Sequence, residues 1–167
     1  MADVVGLVRT NFIEPHVYAI CFDKYIYIGE TQSVPVKRWG GHCQSTGTFL
    51  AKLRSKGIDR IEQGRPLLFI AIRCSELLEI PEVERRLATQ FVEHLVQVNT
   101  ICALPTIWPI QEIISDTLVT APAYTRHHWV ERVADSAFNL ISETLRNSGF
   151  SGKSIDLRHQ QTIEVTL

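Results

Sequence analysis

At 167 residues and 19.0 kDa the chain has the size of one ordinary domain with room for an appended subdomain. Hydrophobic residues make up 45% and charged residues 21%, which supports a packed core and argues against disorder. A net charge of -1 excludes the uniformly basic coat of a nonspecific nucleic-acid binder, and no apolar run approaches the roughly 20 residues of a membrane helix. The segment Met1 to Phe12 carries Asp3 and lacks a long apolar stretch with a cleavage site, so a cytoplasmic protein without a signal peptide is expected. Cys21, Cys43, Cys74 and Cys102 form no close pair such as CxxC. Reduced core thiols are expected rather than a zinc site.

In chain order, His16 to Phe22 (HVYAICF) and Tyr25 to Ile28 (YIYI) are β-branched and aromatic. Only Asp23-Lys24 separates them, which predicts a hairpin. A polar loop with Pro35 follows Gly29. Val36 to Cys43 could form a short helix weakened by Gly40-Gly41, and Thr48 to Arg54 is a better one. Leu67 to Ile72 is a third apolar strand after Pro66. Pro81 opens a helix to about Val98, with Leu87, Ala88, Phe91, Leu95 and Val98 on its apolar face. Ile101 to Val119 is apolar and interrupted by Pro105 and Pro109, with a short helix expected near Gln111 to Leu118. Trp129 to Arg146 carries a stripe of Val130, Val133, Ala134, Ala137, Phe138, Ile141 and Leu145, ended by Asn147 to Gly149. The tail could add an edge strand near Thr162 to Thr166.

The pattern predicts an α/β (α+β) fold: a small, mainly antiparallel three-stranded sheet flanked by helices, with a helical C-terminal extension. Residues 1–100 would form the main unit, and 101–167 an extension of unread role packed on the same core. Between Val36 and Arg65 the basic residues Lys37, Arg38, Lys52, Arg54, Lys56, Arg60 and Arg65 outnumber Asp59 and Glu62. A local basic face of this kind can hold a phosphate backbone while the rest of the surface stays neutral, although chance clustering gives the same count.

The informative stretch is Val17 to His42, VYAICFDKYIYIGETQSVPVKRWGGH. It resembles the GIY-YIG nuclease family. Tyr18 stands for the first-motif tyrosine, with His16 and Val17 in place of the family's glycine and isoleucine. Tyr27-Ile28-Gly29 is an intact second motif, Thr31 supplies the small hydroxyl residue after it, and Arg38 and His42 have the family's four-residue step. Glu84 and Asn99 are the candidates for the family's helical glutamate and later asparagine. The resemblance covers roughly Pro15 to Asn99 and implies a metal-dependent endonuclease acting on nucleic acid, expected to be double-stranded DNA, with one Mg2+ or Mn2+ per site. A homodimer would suit cutting of both strands. A non-cleaving nucleic-acid-binding or regulatory module keeping the same fold is the alternative.

The residues fit that chemistry in their own right. Phosphodiester hydrolysis needs an activated water, charge compensation on the phosphorus centre and help for the leaving oxygen. A carboxylate-held metal polarises the phosphate, and an arginine offers paired donors to its oxygens. A tyrosine whose phenol pKa is lowered by arginine and metal could take a proton from water. Under the resemblance, Tyr18 or Tyr27 is the base, Arg38 stabilises the transition state, His42 assists, Glu84 binds the metal and Asn99 positions phosphate. Lys37, Lys52, Arg54 and Lys56 are the candidate backbone contacts.

Glu84 lies in line with Leu87, Ala88, Phe91 and Leu95, the face expected to pack on the sheet, whereas Glu82, Arg86, Thr89 and Glu93 form a line expected to be solvated. Glu84 could equally serve only the positive helix N-terminus. Tyr25 and Tyr27 share one strand face, so at least one is expected to be structural, Trp39 is a packing anchor, and His42 could be structural. His127-His128 point apart as neighbours and lack a third ligand, which discounts them as a metal pair.

Overall fold

The structure, a computed structural model, describes residues 14–61, 65–107, 109–116, 127–150 and the strand residues 164–166. Strands β1 (His16–Phe22) and β2 (Tyr25–Thr31) form the hairpin expected from their two-residue spacing. Asp23 turns the chain with φ 54, a left-handed conformation that aspartate tolerates better than most residues. The tight turn fixes the register, with Phe22 opposite Tyr25 and therefore Tyr18 opposite Gly29.

Strand β3 (Leu67–Arg73) pairs antiparallel with the other edge of β1, placing Ala71 beside Tyr18. Helices α1 (Pro35–His42) and α2 (Thr48–Ser55) lie between β2 and β3 in the chain. A 3-10 turn (Ser75–Glu79) leads into the long helix α3 (Glu82–Ala103). After β4 (Glu112–Ile113) come α4 (Trp129–Asn147) and β5 (Glu164–Thr166). The sheet order is β4-β2-β1-β3-β5. The fold is thus the expected mixed α+β arrangement, with three antiparallel strands at its centre. Two short parallel strands, β4 on β2 and β5 on β3, extend the sheet beyond three.

Strand β1 is buried at every residue because both faces of the sheet are covered. Alternation sorts the side chains into two cores. Val17, Ala19, Cys21, Ile26, Ile28, Ile70 and Ile72 pack against Ala88, Val92 and Val96 of α3 and Val130, Val133, Ala137 and Ile141 of α4. Tyr18, Ile20, Phe22, Tyr25 and Phe69 face the other way, against Trp39 of α1 and Phe49 and Leu53 of α2. The apolar stripe of the C-terminal helix therefore completes the same core as the hairpin. No helix among the described residues is long and apolar enough to cross a membrane.

Three expectations change. The helix expected near Gln111 to Leu118 gives way to strand β4 over its described part: the backbone N–H groups of Gln111 and Glu112 bond to the Lys24 carbonyl, and that of Ile114 to the Ile26 carbonyl. Edge pairing with β2 satisfies a short apolar segment that would be too short to gain much as a helix. Helix α3 runs to Ala103 rather than Val98, since no glycine or proline stops it before Pro105. The line Glu82–Arg86–Thr89–Glu93 is solvated only at its start: Glu82 and Arg86 are exposed, but Thr89 and Gln97 are buried and Glu93 is half-buried, because α3 turns the later part of this polar strip toward β2.

Candidate active site

Gly29 shapes the site. A Cβ there would stand 2.5 Å from Cζ of Tyr18 and overlap the phenol oxygen, so only glycine lets the Tyr18 ring lie across β2. The ring then reaches the end of α1. Its hydroxyl lies 2.6 Å from Nε2 of His42, and both side chains are buried. Helix α1 is anchored by Trp39, whose ring packs tilted against Phe69 with centroids 4.8 Å apart. That anchor turns Arg38 and His42, one helical turn apart, toward the tyrosines. Gly47 has a similar role behind His42. A Cβ there would overlap the Gly41 and His42 carbonyls, so glycine allows α2 to start against the end of α1.

Tyr27 completes an aromatic cluster, with its ring centroid 4.8 Å from that of His42 and 6.4 Å from that of Tyr18. Tyr25 sits in the core beside Ile20 and Phe22, the structural member of the pair as alternation suggested. Arg38 is exposed at the rim, and its positive charge acts on the Tyr18 hydroxyl.

The electrostatics follow from burial. Desolvation raises the Tyr18 pKa above its ordinary value, with Tyr27 adding to the shift and Arg38 opposing it. Burial likewise pushes Tyr27 up to about 12. Arg38 alone does not lower either phenol, because burial outweighs it at both tyrosines. His42 is lowered to about 4, by burial first and Arg38 second. It is a neutral acceptor at physiological pH.

The carboxylates beside this cluster are Glu30 and Glu93, neither of which sequence reasoning had chosen. Burial pushes Glu93 up to about 8, with Glu30 contributing and Arg38 opposing. Glu30 is raised by burial and eased by Arg86 and Arg38. Oε2 of Glu30 is buried and has no hydrogen-bond partner. Two poorly solvated carboxyl groups with an unpartnered oxygen suit a hard divalent cation, which takes oxygen ligands and is commonly held by one or two carboxylates. Among the described residues no three His, Cys, Asp or Glu side chains group as a complete metal cage. A cation here would draw its remaining ligands from water and phosphate.

The structure thus brings together Tyr18, Tyr27, Arg38 and His42, and does not bring Glu84 to them. Glu84 precedes Glu93 by nine residues, which is half a turn around the helix and about 13 Å along its axis. It sits in the first turn of α3. The tyrosines lie on the sheet face covered by α1 and α2, whereas α3 covers the opposite face. The two sets meet at the edge of β2, where β4 pairs only with Tyr25 and Ile26 and Gly29 has no side chain to separate them. Asn99 donates to Oδ1 of Asp135 at 3.1 Å, tying α3 to α4 away from the cluster.

The expected basic face is largely engaged. Lys52 pairs with Asp116 and Lys56 with Glu112, both at exposed positions, and Arg54 donates to the Ser45 carbonyl at 2.5 Å. Lys37 stays exposed beside Arg38. A signal for Glu93 was present in the sequence: Thr89, Glu93 and Gln97 repeat at helical spacing beside Val92 and Val96. A polar strip adjoining an apolar one can be buried when its groups have partners.

Comparison of the chain with protein-family models, with curated proteins and with solved structures gives no match.

Proposed function

We propose that this chain is a metal-dependent endonuclease that hydrolyses phosphodiester bonds of DNA, with Tyr18, Tyr27, Arg38, His42 and Glu93 as its active site. The observation that carries this reading is the hydrogen-bonded pair of Tyr18 and His42, with Arg38 at the rim and the half-buried carboxyl groups of Glu30 and Glu93 acting on the same cluster. The resemblance of Val17 to His42 to the GIY-YIG pattern supports it.

Tyr18 is the base in this reading. Its high pKa forbids a standing phenolate, so it acts as a relay. As the water oxygen bonds to phosphorus, its proton passes to Oη of Tyr18 while the phenolic proton moves to Nε2 of neutral His42. The bond from phosphorus to the leaving oxygen breaks. Arg38, exposed at the rim, offers its donors to the phosphate oxygens that gain charge. Tyr27 packs against His42 and holds the imidazole in place. A magnesium or manganese ion held by Glu93, with Glu30 alongside, would polarise the phosphate and stabilise the leaving oxygen. Lys37 is placed to contact the neighbouring backbone, and a homodimer would present two sites for the two strands.

The test is incubation of the full chain with mixed plasmid and phage DNA in magnesium or manganese. Discrete fragments mark a sequence-specific nuclease, and a smear a nonspecific one. Binding that persists without metal and gives no product would instead identify a non-cleaving nucleic-acid-binding module.

A further inference from the structure

Gln97 is 2% exposed, and its side-chain amide nitrogen donates to two acceptors at once. One is Oε1 of Glu93 at 3.1 Å and the other the backbone carbonyl of Ile28 at 3.4 Å. Two acceptors at one nitrogen fix the amide orientation, because its oxygen could satisfy neither. Ile28 belongs to the tyrosine-bearing strand and lies next to Gly29. One turn on the other side of Glu93, Thr89 accepts a hydrogen bond from Nε2 of Gln32 at 2.6 Å, just past the end of β2. Glu93 therefore sits between two polar ties that join α3 to both ends of the segment around Gly29. Only Gln97 also touches the carboxylate.

We infer that Gln97 is a positioning residue that holds the Glu93 carboxylate against the edge of β2 at Gly29, with Oε1 engaged by the amide, and so sets the affinity of Glu93 for a divalent cation. The inference rests on the reading of Glu93 as the metal-binding carboxylate. Without the amide, Glu93 would keep its carboxyl group but could rotate away from Glu30 and Arg38. Groups that orient a metal-binding carboxylate commonly change metal affinity by 10–100-fold when removed. The Thr89 tie, which stiffens the same helix without touching Glu93, should not.

The probe is Mn2+ alone, titrated into the full chain and followed by the electron paramagnetic resonance of the free ion. Gln97→Met, which keeps the volume and removes the donor, is expected to weaken Mn2+ binding about 10–100-fold. Thr89→Val is expected to bind within about threefold of the unaltered protein, and Glu93→Gln to lose the site. Gln97→Met also leaves the Ile28 carbonyl without its donor, so a second measurement uses the unaltered chain. Added Mg2+ should shift the Gln97 side-chain amide NMR signal, and Glu93→Gln should abolish that shift. If Glu93→Gln loses Mn2+ while folded Gln97→Met binds normally, or the amide signal stays fixed, the positioning role is wrong and the metal-binding role of Glu93 stands. If the unaltered chain binds no Mn2+, or Glu93→Gln binds it equally well, the metal reading itself fails and the inference with it.

Discussion

The Tyr18 hydroxyl lies across Gly29 and meets Nε2 of His42 at 2.6 Å, so a residue of β1 reaches the last turn of α1 over the one position of β2 that lacks a side chain. The hairpin register places Tyr18 opposite Gly29, and the Trp39 anchor places His42 at the end of that path. Gly29→Ala is therefore expected to break the Tyr18–His42 bond. The added methyl forces the ring aside at a cost of about 1–3 kcal/mol, typical of overpacking a core. Urea denaturation would give the stability loss, and the His42 ring NMR signals the loss of the bond. An alanine variant with both unchanged would contradict the role given to Gly29.

The two tyrosines should differ. Tyr18→Phe removes the hydroxyl that meets His42 and is expected to lower the cleavage rate by about 10²–10⁴-fold, the range associated with a lost general base. Tyr27→Phe keeps the ring that packs on His42 and is expected to lower it by about tenfold or less, because only the hydroxyl is lost. Single-turnover rates on one DNA substrate compare them directly. The reverse order would move the base to Tyr27.

Stability should depend on pH in opposite senses through two groups. His42 falls to about 4 in the folded chain, from burial and then Arg38, against about 6.5 when unfolded. Between those values the unfolded chain binds the additional proton, so this contribution to stability rises with pH and is complete above about 6.5. Glu93 is pushed up to about 8 by burial and by Glu30, against about 4.3 when unfolded. There the folded chain holds the additional proton, so stability is present at low pH and is lost as pH rises toward 8. Above about pH 6.5 only the carboxyl contribution changes. In a chelator, the melting temperature is expected to fall between about pH 6.5 and 8, and Glu93→Gln to flatten most of that fall. An equal fall in the variant would assign it to other groups.

Much of the hairpin was legible because its signals are local. Two β-rich runs two residues apart leave little freedom, and the structure starts β1 and β2 at His16 and Tyr25 as expected. The step from Arg38 to His42 was legible for the same reason: one helical turn brings them together despite Gly40 and Gly41, with Trp39 supplying the anchor that local propensity lacks. The placement of α3 was not legible. Which of its faces meets β2 depends on long-range pairing, and the polar strip Thr89–Glu93–Gln97 looks like a solvated line until Gln32 and Ile28 are seen to satisfy it. Glu84 stood on the line expected to face the core, yet Leu87 and Val98 of that line are exposed, and Asn99 meets Asp135 of α4. Strand β4 was hidden because its two residues are held by pairing with β2 rather than by their own pattern.

The most direct measurement of the central claim is metal-dependent cleavage of plasmid DNA by the full chain, compared with Arg38→Ala, Glu93→Ala and Glu84→Ala at equal folded concentration. The expected result is cleavage by the unaltered chain, a loss of about 10²–10³-fold in both Arg38→Ala and Glu93→Ala, and activity within a few-fold of normal in Glu84→Ala. No metal-dependent cleavage by the unaltered chain, or an inactive Glu84→Ala beside an active Glu93→Ala, would contradict the site assigned here.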